Sequence, residues 1–370
     1  MEYTEQALAA VAKREKNTKR GYLVVNLLQG KHVPVRPGEA LAMFGALADL
    51  LLAAYEGERL LLIGFAETAT AVGAAAAGKL GSLYIQTTRE QIEGVNYFYF
   101  SEQHSHATEQ KLVREDLDRA ARCADRIIFI EDEITTGDTI RNIIRLLRQA
   151  YPGRFQYSAA SLQNGMDEAH QKAYEEQGIR LHWLLKTCHE GYEERASRYR
   201  EDGAYHACNR SVPFVLWTER TFYNYQNARR LVEGRAYHEA CERLGRDVLE
   251  LLRPVRGERI LVLGTEEFMY PALVAGGLIE QAGASVWCHA TTRSPIAVSE
   301  EASYPLHERY ELASLYDRER RTFLYDLVPY DRVCIMTDAR ETEREGLYSL
   351  LDALAASGND RIRVIRWGER

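Results

Sequence analysis

The sequence lacks any pair of cysteines at CxxC spacing. Its six cysteines are scattered at positions 123, 188, 208, 241, 288 and 334, so neither a zinc site nor a dithiol redox motif is indicated. It also lacks an excess of positive charge. The net charge is −7, which gives no electrostatic reason to expect a DNA or RNA partner. No apolar run approaches the ~20 residues needed to span a bilayer, and the polar N-terminus is unlike a signal peptide. The expectation is a cytoplasmic protein with no membrane partner. What remains is ordinary: 46% hydrophobic and 27% charged residues in a chain of 370, which suits a globular protein of two domains.

Short apolar runs alternate with helical stretches. Arg59–Gly64 reads as a buried strand, Ala71–Lys79 as an Ala-rich helix and Ser82–Gln86 as a short strand. A second buried strand, Arg126–Ile130, leads through a loop to a helix over Ile140–Gln149, and another strand follows at about Gln156–Leu162. Such alternation predicts an α/β fold, a mostly parallel sheet with helices on both faces. Ligands of such sheets bind beyond the carboxyl ends of the strands. From His189 to Arg210 apolar periodicity fades, and the segment reads as a linker with a docking arm.

The pattern then repeats. Gly57–Gly64 is echoed by Gly257–Gly264, Thr87–Arg89 by Thr291–Arg293, and Asp125–Ile130 by Asp331–Met336, at offsets of 200, 204 and 206 residues. Three echoes in order predict a duplicated fold, with domains at 1–205 and 206–370.

Chemistry concentrates after the strand Arg126–Ile130. Glu131 and Asp132 stand at the sheet's carboxyl edge, where two carboxylates suit the paired hydroxyls of a ribose. After Glu133-Ile134 comes Thr135-Thr136-Gly137-Asp138-Thr139. Gly137 permits a turn with positive φ. Backbone N–H groups turned inward at a helix N-terminus then form a nest for a phosphate. The Gly-Lys-Ser/Thr ending of a P-loop is missing.

This segment resembles the phosphoribosyl pyrophosphate (PRPP) signature of type I phosphoribosyltransferases. The resemblance implies that Glu131 and Asp132 hold the ribose 2′ and 3′ hydroxyls and that Thr135–Thr139 hold the 5′-phosphate. Glu133 departs from the pattern, which usually has an apolar residue there. Asn17–Gly21, Gly30–Pro34 and Phe100–His106 look like the phosphoribosyltransferases of bacterial tellurium-resistance and stress gene clusters. Those have a second domain named for a Thr-Arg-Ser-Pro motif, found here as Thr292-Arg293-Ser294-Pro295.

In the type I fold the loop Gly64–Thr70 receives pyrophosphate, so Glu67, Thr68, Ala69 and Thr70 are candidate ligands, and Arg89 is a candidate to neutralise its charge. His104 and His106 lie on Tyr97–Gln110, the place of the mobile catalytic loop. Lys31 and His32 are assigned to the base side, with Gly21–Val35 and Ser161–Asn164. The implied reaction displaces pyrophosphate from PRPP with a nucleobase-like acceptor. Mg²⁺ is expected through PRPP itself, with no dedicated protein cage. A homodimer and products of neighbouring stress-cluster genes are expected partners. A non-catalytic PRPP or nucleotide sensor is the alternative.

In the second half, Thr337 and Asp338 align with Glu131 and Asp132, and Glu341–Glu345 with the phosphate loop. That loop has no glycine, and three of its five positions are carboxylates. Like charges repel a phosphate by ~4 kcal/mol per pair at 4 Å in an intermediate dielectric, so this copy is expected to have lost PRPP. Thr292, Arg293 and Ser294 remain either as a candidate anion contact or as a strand-end turn with a stabilising proline.

Overall fold

The structure is a computed structural model that describes residues 3–15, 20–100, 110–341 and 344–369. In chain order its strands begin with β1 (Ala9–Lys13), β2 (Tyr22–Asn26), β3 (Leu60–Gly64), β4 (Leu83–Gln86), β5 (Tyr97–Tyr99), β6 (Lys111–Val113), β7 (Arg126–Ile134), β8 (Gln156–Asn164) and β9 (Arg180–Lys186). They continue as β10 (Ala204–Ala207), β11 (Trp217–Phe222), β12 (Val232–Glu233), β13 (Arg259–Gly264), β14 (Ser285–Ala290), β15 (Glu308–Ala313), β16 (Arg321–Tyr325), β17 (Arg332–Thr337) and β18 (Ile362–Trp367).

Packing divides the chain into two units that interleave along the sequence. One comprises Ala42–Cys188 and Gln226–Ala240; the other comprises Met1–Leu41, His189–Tyr225 and Cys241–Arg370. A single cut at residue 205 therefore differs from the division that packing makes.

The first unit is built on a sheet of order β12-β4-β3-β7-β8-β9. Only β12 runs antiparallel to its neighbour; the other pairings are parallel. The apolar runs explain this. All five residues of β3 and the first five of β7 are buried, as a strand covered on both faces requires. The helix Thr70–Leu80 follows β3. A Cβ on its Gly73 would lie 3.1 Å from the Gly64 Cα, so glycine lets helix and strand approach. The helix Asp138–Ala150 follows β7 and buries Ile140, Ile143, Ile144 and Leu147, the three- and four-residue spacing of one helical face.

The second unit has a wholly parallel sheet of order β11-β18-β17-β13-β14. Its run β14-β13-β17-β18 matches β4-β3-β7-β8 of the first unit, strand for strand and in the same chain order. Helices follow the matching strands too: Tyr270–Gln281 follows β13 and Arg344–Ala356 follows β17. Four equivalent strands meet the demand of a duplicated fold. The fifth positions differ, because β9 follows β8 in the chain whereas β11 precedes β13.

Two segments depart from expectation. Residues 189–210 are not a bare linker: they form the helix Tyr192–Arg198 and strand β10, which pairs with β15. That helix packs on the β1–β2 ribbon through Tyr192 and Ala196 against Val11 and Val24. The N-terminal segment belongs to the second unit, where Ala12 and Val25 share a core with Ile296, Val298 and Tyr325. Val35 and Cys288 exchange backbone hydrogen bonds of 2.9 and 2.7 Å.

The helix Pro37–Ala54, with mean hydropathy 1.4, is long and apolar enough to cross a membrane by length and composition. This corrects the reading that no run approaches that length. Its buried residues Ala40, Met43, Phe44, Leu47, Ala48 and Leu51 have the periodicity of a helix with one core-facing side.

Candidate functional site

Strand β7 does not stop at Ile130. It continues to Ile134 and carries Glu131, Asp132 and Glu133 half-buried along its last turns of pleat. Burial, then the charges of Asp132 and Glu133, push the Glu131 carboxyl well above the ordinary carboxylate range. Ionising it costs free energy until a donor or cation meets it. Asp132 accepts a hydrogen bond from the Thr68 hydroxyl at 2.9 Å, which ties the loop after β3 to the acid pair.

Gly137 has φ 70° and ends the loop as the N-cap of the helix Asp138–Ala150. The Tyr174 hydroxyl donates to its carbonyl at 2.7 Å, so the turn is pinned from the helix Glu168–Glu176. Gly137 supplies no side-chain cap, and the Asp138 N–H reaches the Thr136 hydroxyl at 3.3 Å. The helix's first N–H groups lack the intrahelical acceptors that later ones have, and Thr136, Asp138 and Thr139 around them are exposed. Asp138 pairs with Arg141, which, with the Thr136 hydroxyl, holds its carboxyl below the usual range.

The loop after β3 repeats this device. Ala69 is the N-cap of the helix Thr70–Leu80 and again supplies no side-chain cap. The Thr87 hydroxyl accepts from the Ala66 N–H at 2.8 Å and donates to the Gln110 side-chain carbonyl at 2.6 Å. The Gln110 amide donates to the Ala66 carbonyl at 2.9 Å. Thr70 donates to the Glu67 carbonyl at 2.9 Å. Glu67, Ala69 and Thr70 are buried and Thr68 is half-buried. Because β3 and β7 are parallel neighbours, with Gly64 beside Ile130, two helix N-termini whose N-cap residues supply no side-chain cap stand at the carboxyl ends of adjacent strands, beside the acid pair. Each is a ready anion cradle. Arg89 lies just past β4, on the other side of β3, and is half-buried.

The register also sets Ser161 of β8 beside Glu131 and Asn164 beside Ile134. Ser161 Oγ and Asn164 Nδ2 are buried and, among the described residues, have no hydrogen-bond partner. Buried orphans of this kind are uncommon and call for a ligand or water. They fall in the stretch assigned to the acceptor from sequence.

His104 and His106 lie outside the described residues, as does most of Tyr97–Gln110. At its base β5 and β6 pair antiparallel, with Tyr97 beside Val113 and Tyr99 beside Lys111. They form a ribbon separate from the main sheet. The Lys111 ammonium sits 4.4 Å from the centre of the Tyr97 ring.

Lys31 and His32, assigned to the base side from sequence, belong to the second unit. Both are buried. The Lys31 ammonium donates to the carbonyls of Glu266 and Thr291 at 2.8 and 2.9 Å. A lysine is tolerated in a core when carbonyl dipoles meet its charge, and this one is held by two in the core of the second unit.

The second unit's equivalent edge is closed by its own side chains. Asp338 accepts from Tyr225 at 2.6 Å and from Tyr316 at 2.7 Å, so each carboxylate oxygen meets a tyrosine hydroxyl. Arg293, read from sequence as an anion contact or part of a strand-end turn, is buried against Glu266 and Glu267 at 2.9 and 2.6 Å. Arg320 joins Glu266 at 2.8 Å. Thr292 is buried and backbone-paired with Phe323, and its hydroxyl accepts from the Ser294 N–H at 3.2 Å. The Thr-Arg-Ser-Pro segment is thus a strand-end turn whose arginine neutralises two buried acids. Residues 342–343 of the aligned loop lie outside the described residues.

Residues 8–188 match the family model described as phosphoribosyl transferase, and residues 230–354 match the TRSP domain found C-terminal to it. No curated protein matches the chain. Among solved structures, adenine phosphoribosyltransferase from Rhodothermus marinus is similar at 16% identity and TM-score 0.35, over 50% of this chain and 96% of that one. Orotate phosphoribosyltransferase from Aeropyrum pernix is similar at 16% identity and TM-score 0.32, over 52% and 94%. The Trypanosoma brucei adenine enzyme, bound to AMP, pyrophosphate and ribose-5-phosphate, is similar at 18% identity and TM-score 0.29, over 39% of this chain and 64% of its own, just under two thirds. Likenesses this distant carry no argument about ligands.

Proposed function

The chain belongs to the phosphoribosyl transferase family with a TRSP domain C-terminal to the transferase part, and on that premise we propose that it displaces pyrophosphate from PRPP with a nitrogen nucleophile of nucleobase type. One observation carries the assignment to the acid pair: two helix N-termini whose N-cap residues supply no side-chain cap, at the ends of neighbouring strands, flank Glu131 and Asp132. PRPP presents that pattern, a phosphate at one end, a diphosphate at the other and two hydroxyls between.

In this reading the N–H groups around Thr135–Thr139 hold the 5′-phosphate. Glu131 and Asp132 accept from the ribose hydroxyls. The loop Glu67–Thr70 receives the pyrophosphate, and Arg89 offsets its charge. The sugar acquires oxocarbenium character as the leaving group departs, as in glycoside hydrolysis. Carboxylates on the ribose face favour that positive charge over the neutral ground state. Ser161 and Asn164 offer hydrogen bonds to the acceptor.

Carboxylate oxygens are donors that Mg²⁺ favours, and the raised Glu131 carboxyl marks a surplus of negative charge that a cation relieves. Glu131 and Asp132 would hold the ion together with PRPP oxygens. When bound, it neutralises charge on the leaving pyrophosphate.

We place the protein in the cytoplasm, which suits its free cysteines, and its product in stress or tellurium-resistance physiology, on the strength of the family resemblance. The test is pyrophosphate release from PRPP with a mixture of nucleobases. Base-dependent release supports the transferase. PRPP binding without release under any base would instead favour a sensor.

A further inference from the structure

The helix Asp138–Ala150 carries a feature that the PRPP reading does not use. Its outer face sets Arg141, Arg145 and Arg148 in one row, at four- and three-residue spacing, which places them on the same side of a helix. With Asp138, Asn142, Gln149 and Gln177 they line a groove of about 610 Å³, within the range of small-molecule sites. We propose that this groove is a second anion site, which binds the oligophosphate chain of a small ligand.

Charge is the first argument. Among the described residues, Asp138 is the one carboxylate lining the groove, and it is already paired with Arg141. Arg145 donates to the Asn142 side-chain carbonyl at 2.9 Å and Arg148 to the Gln177 backbone carbonyl at 2.8 Å. Both acceptors are neutral, so among the described residues neither arginine is paired with a carboxylate, in a chain whose net charge is −7. The second argument is an orphan donor: Arg141 Nε is buried and has no partner among the described residues.

The third argument is preorganisation. Arg148 lies 5.4 Å from the centre of the Tyr157 ring, and each guanidinium is held by a hydrogen bond that leaves other N–H groups open. Guanidinium forks match phosphate oxygens in pairs. At a rise of 1.5 Å per residue the row from Arg141 to Arg148 spans about 10 Å, the reach of a chain of two or three phosphates. The amides of Gln149 and Gln177 add polar groups beside it.

The groove adjoins the loop assigned to the 5′-phosphate through Asp138, so its arginines are tested apart from PRPP. Inorganic tripolyphosphate is titrated by calorimetry, without Mg²⁺, into the full chain, into Asp132→Asn and into the double variants Arg145→Glu/Arg148→Glu and Arg145→Gln/Arg148→Gln. Melting curves check that each variant is folded. The expected result is saturable binding that survives Asp132→Asn and weakens at least tenfold in both arginine variants. A parallel titration with a nucleoside triphosphate separates the sources: tenfold tighter binding than tripolyphosphate identifies a nucleotide, and equal binding a free oligophosphate. Tripolyphosphate binding indifferent to both arginine variants would overturn the proposal. So would an absence of saturable binding, or binding of an RNA oligomer but of no oligophosphate.

Discussion

Replacing Gly137 with alanine tests the phosphate loop through a geometry that two separate costs can be read from. Gly137 sits at φ 70°, and a side chain in that left-handed region costs about 1 kcal/mol. The added Cβ would also lie 2.3 Å from the Tyr174 hydroxyl oxygen, 2.5 Å from the Met166 terminal methyl and 2.7 Å from a Tyr174 ring carbon. Tyr174 is fully buried and holds the Gly137 carbonyl, so it cannot swing away. Overpacking of this kind costs about 1–3 kcal/mol, for a total of roughly 2–4 kcal/mol. Gly153→Ala is the control: φ there is 65°, but nothing lies within 4 Å of the added Cβ, so only the backbone cost of about 1 kcal/mol applies. Urea unfolding of both variants measures the difference, and calorimetry with PRPP measures the loop. Gly137→Ala should lose the larger stability and, still folded, at least tenfold in PRPP affinity; Gly153→Ala should leave affinity unchanged. Equal stability losses would refute the packing argument, and unaltered PRPP affinity in Gly137→Ala would refute the loop's role.

Other perturbations follow the same reasoning. Glu131 has a raised carboxyl pKa, so the folded state holds its proton more tightly than the unfolded chain. Its contribution is present below the unfolded pKa and is lost as pH rises through the folded one. Glu131→Gln should therefore stabilise the ligand-free protein near neutral pH and flatten its stability profile above the ordinary carboxylate range, seen as melting temperature against pH; an unchanged profile contradicts this. Arg293→Ala takes the arginine from buried Glu267 and one of the two arginines from Glu266, and should cost about 3–5 kcal/mol in urea unfolding. A loss below 1 kcal/mol would show the pairing to be superficial. Titration of PRPP should find one site per chain, because Asp338 is already engaged by two tyrosines; two equivalent sites would show that edge to be open.

Much of the sheet was legible because β3, β7, β13 and β17 are unbroken apolar runs buried on both faces, a pattern with little ambiguity when glycine and acids bound it. The turn at Gly137 was legible for a similar reason: a glycine between threonines and ahead of a helix pattern marks a positive-φ turn. The burial of Lys31 and His32 was not legible: the family resemblance of Gly30–Pro34 points to a site, and only the tertiary structure brings the Glu266 and Thr291 carbonyls to Lys31. For Arg293 the sequence leaves an anion contact and a strand-end turn open, and its partners Glu266 and Glu267, distant in sequence, favour the turn. The role of 189–210 was hidden because Tyr192 and Ala196 form too short an apolar face to register as periodic. Ser161 and Asn164 carry no motif; their significance rests on register against Glu131 and Ile134 and on being buried without partners.

The central claim is that Glu131, Asp132 and the loop Thr135–Thr139 hold PRPP, and calorimetric titration of PRPP with Mg²⁺ into wild type and Asp132→Asn tests it most directly. The change is isosteric, removes one acceptor charge and leaves Thr68 an oxygen to bond, so the fold should persist. The account predicts one saturable site in the wild type and at least a tenfold weaker one in the variant, with matching melting curves before ligand is added. Undiminished PRPP affinity in a folded Asp132→Asn protein would contradict it.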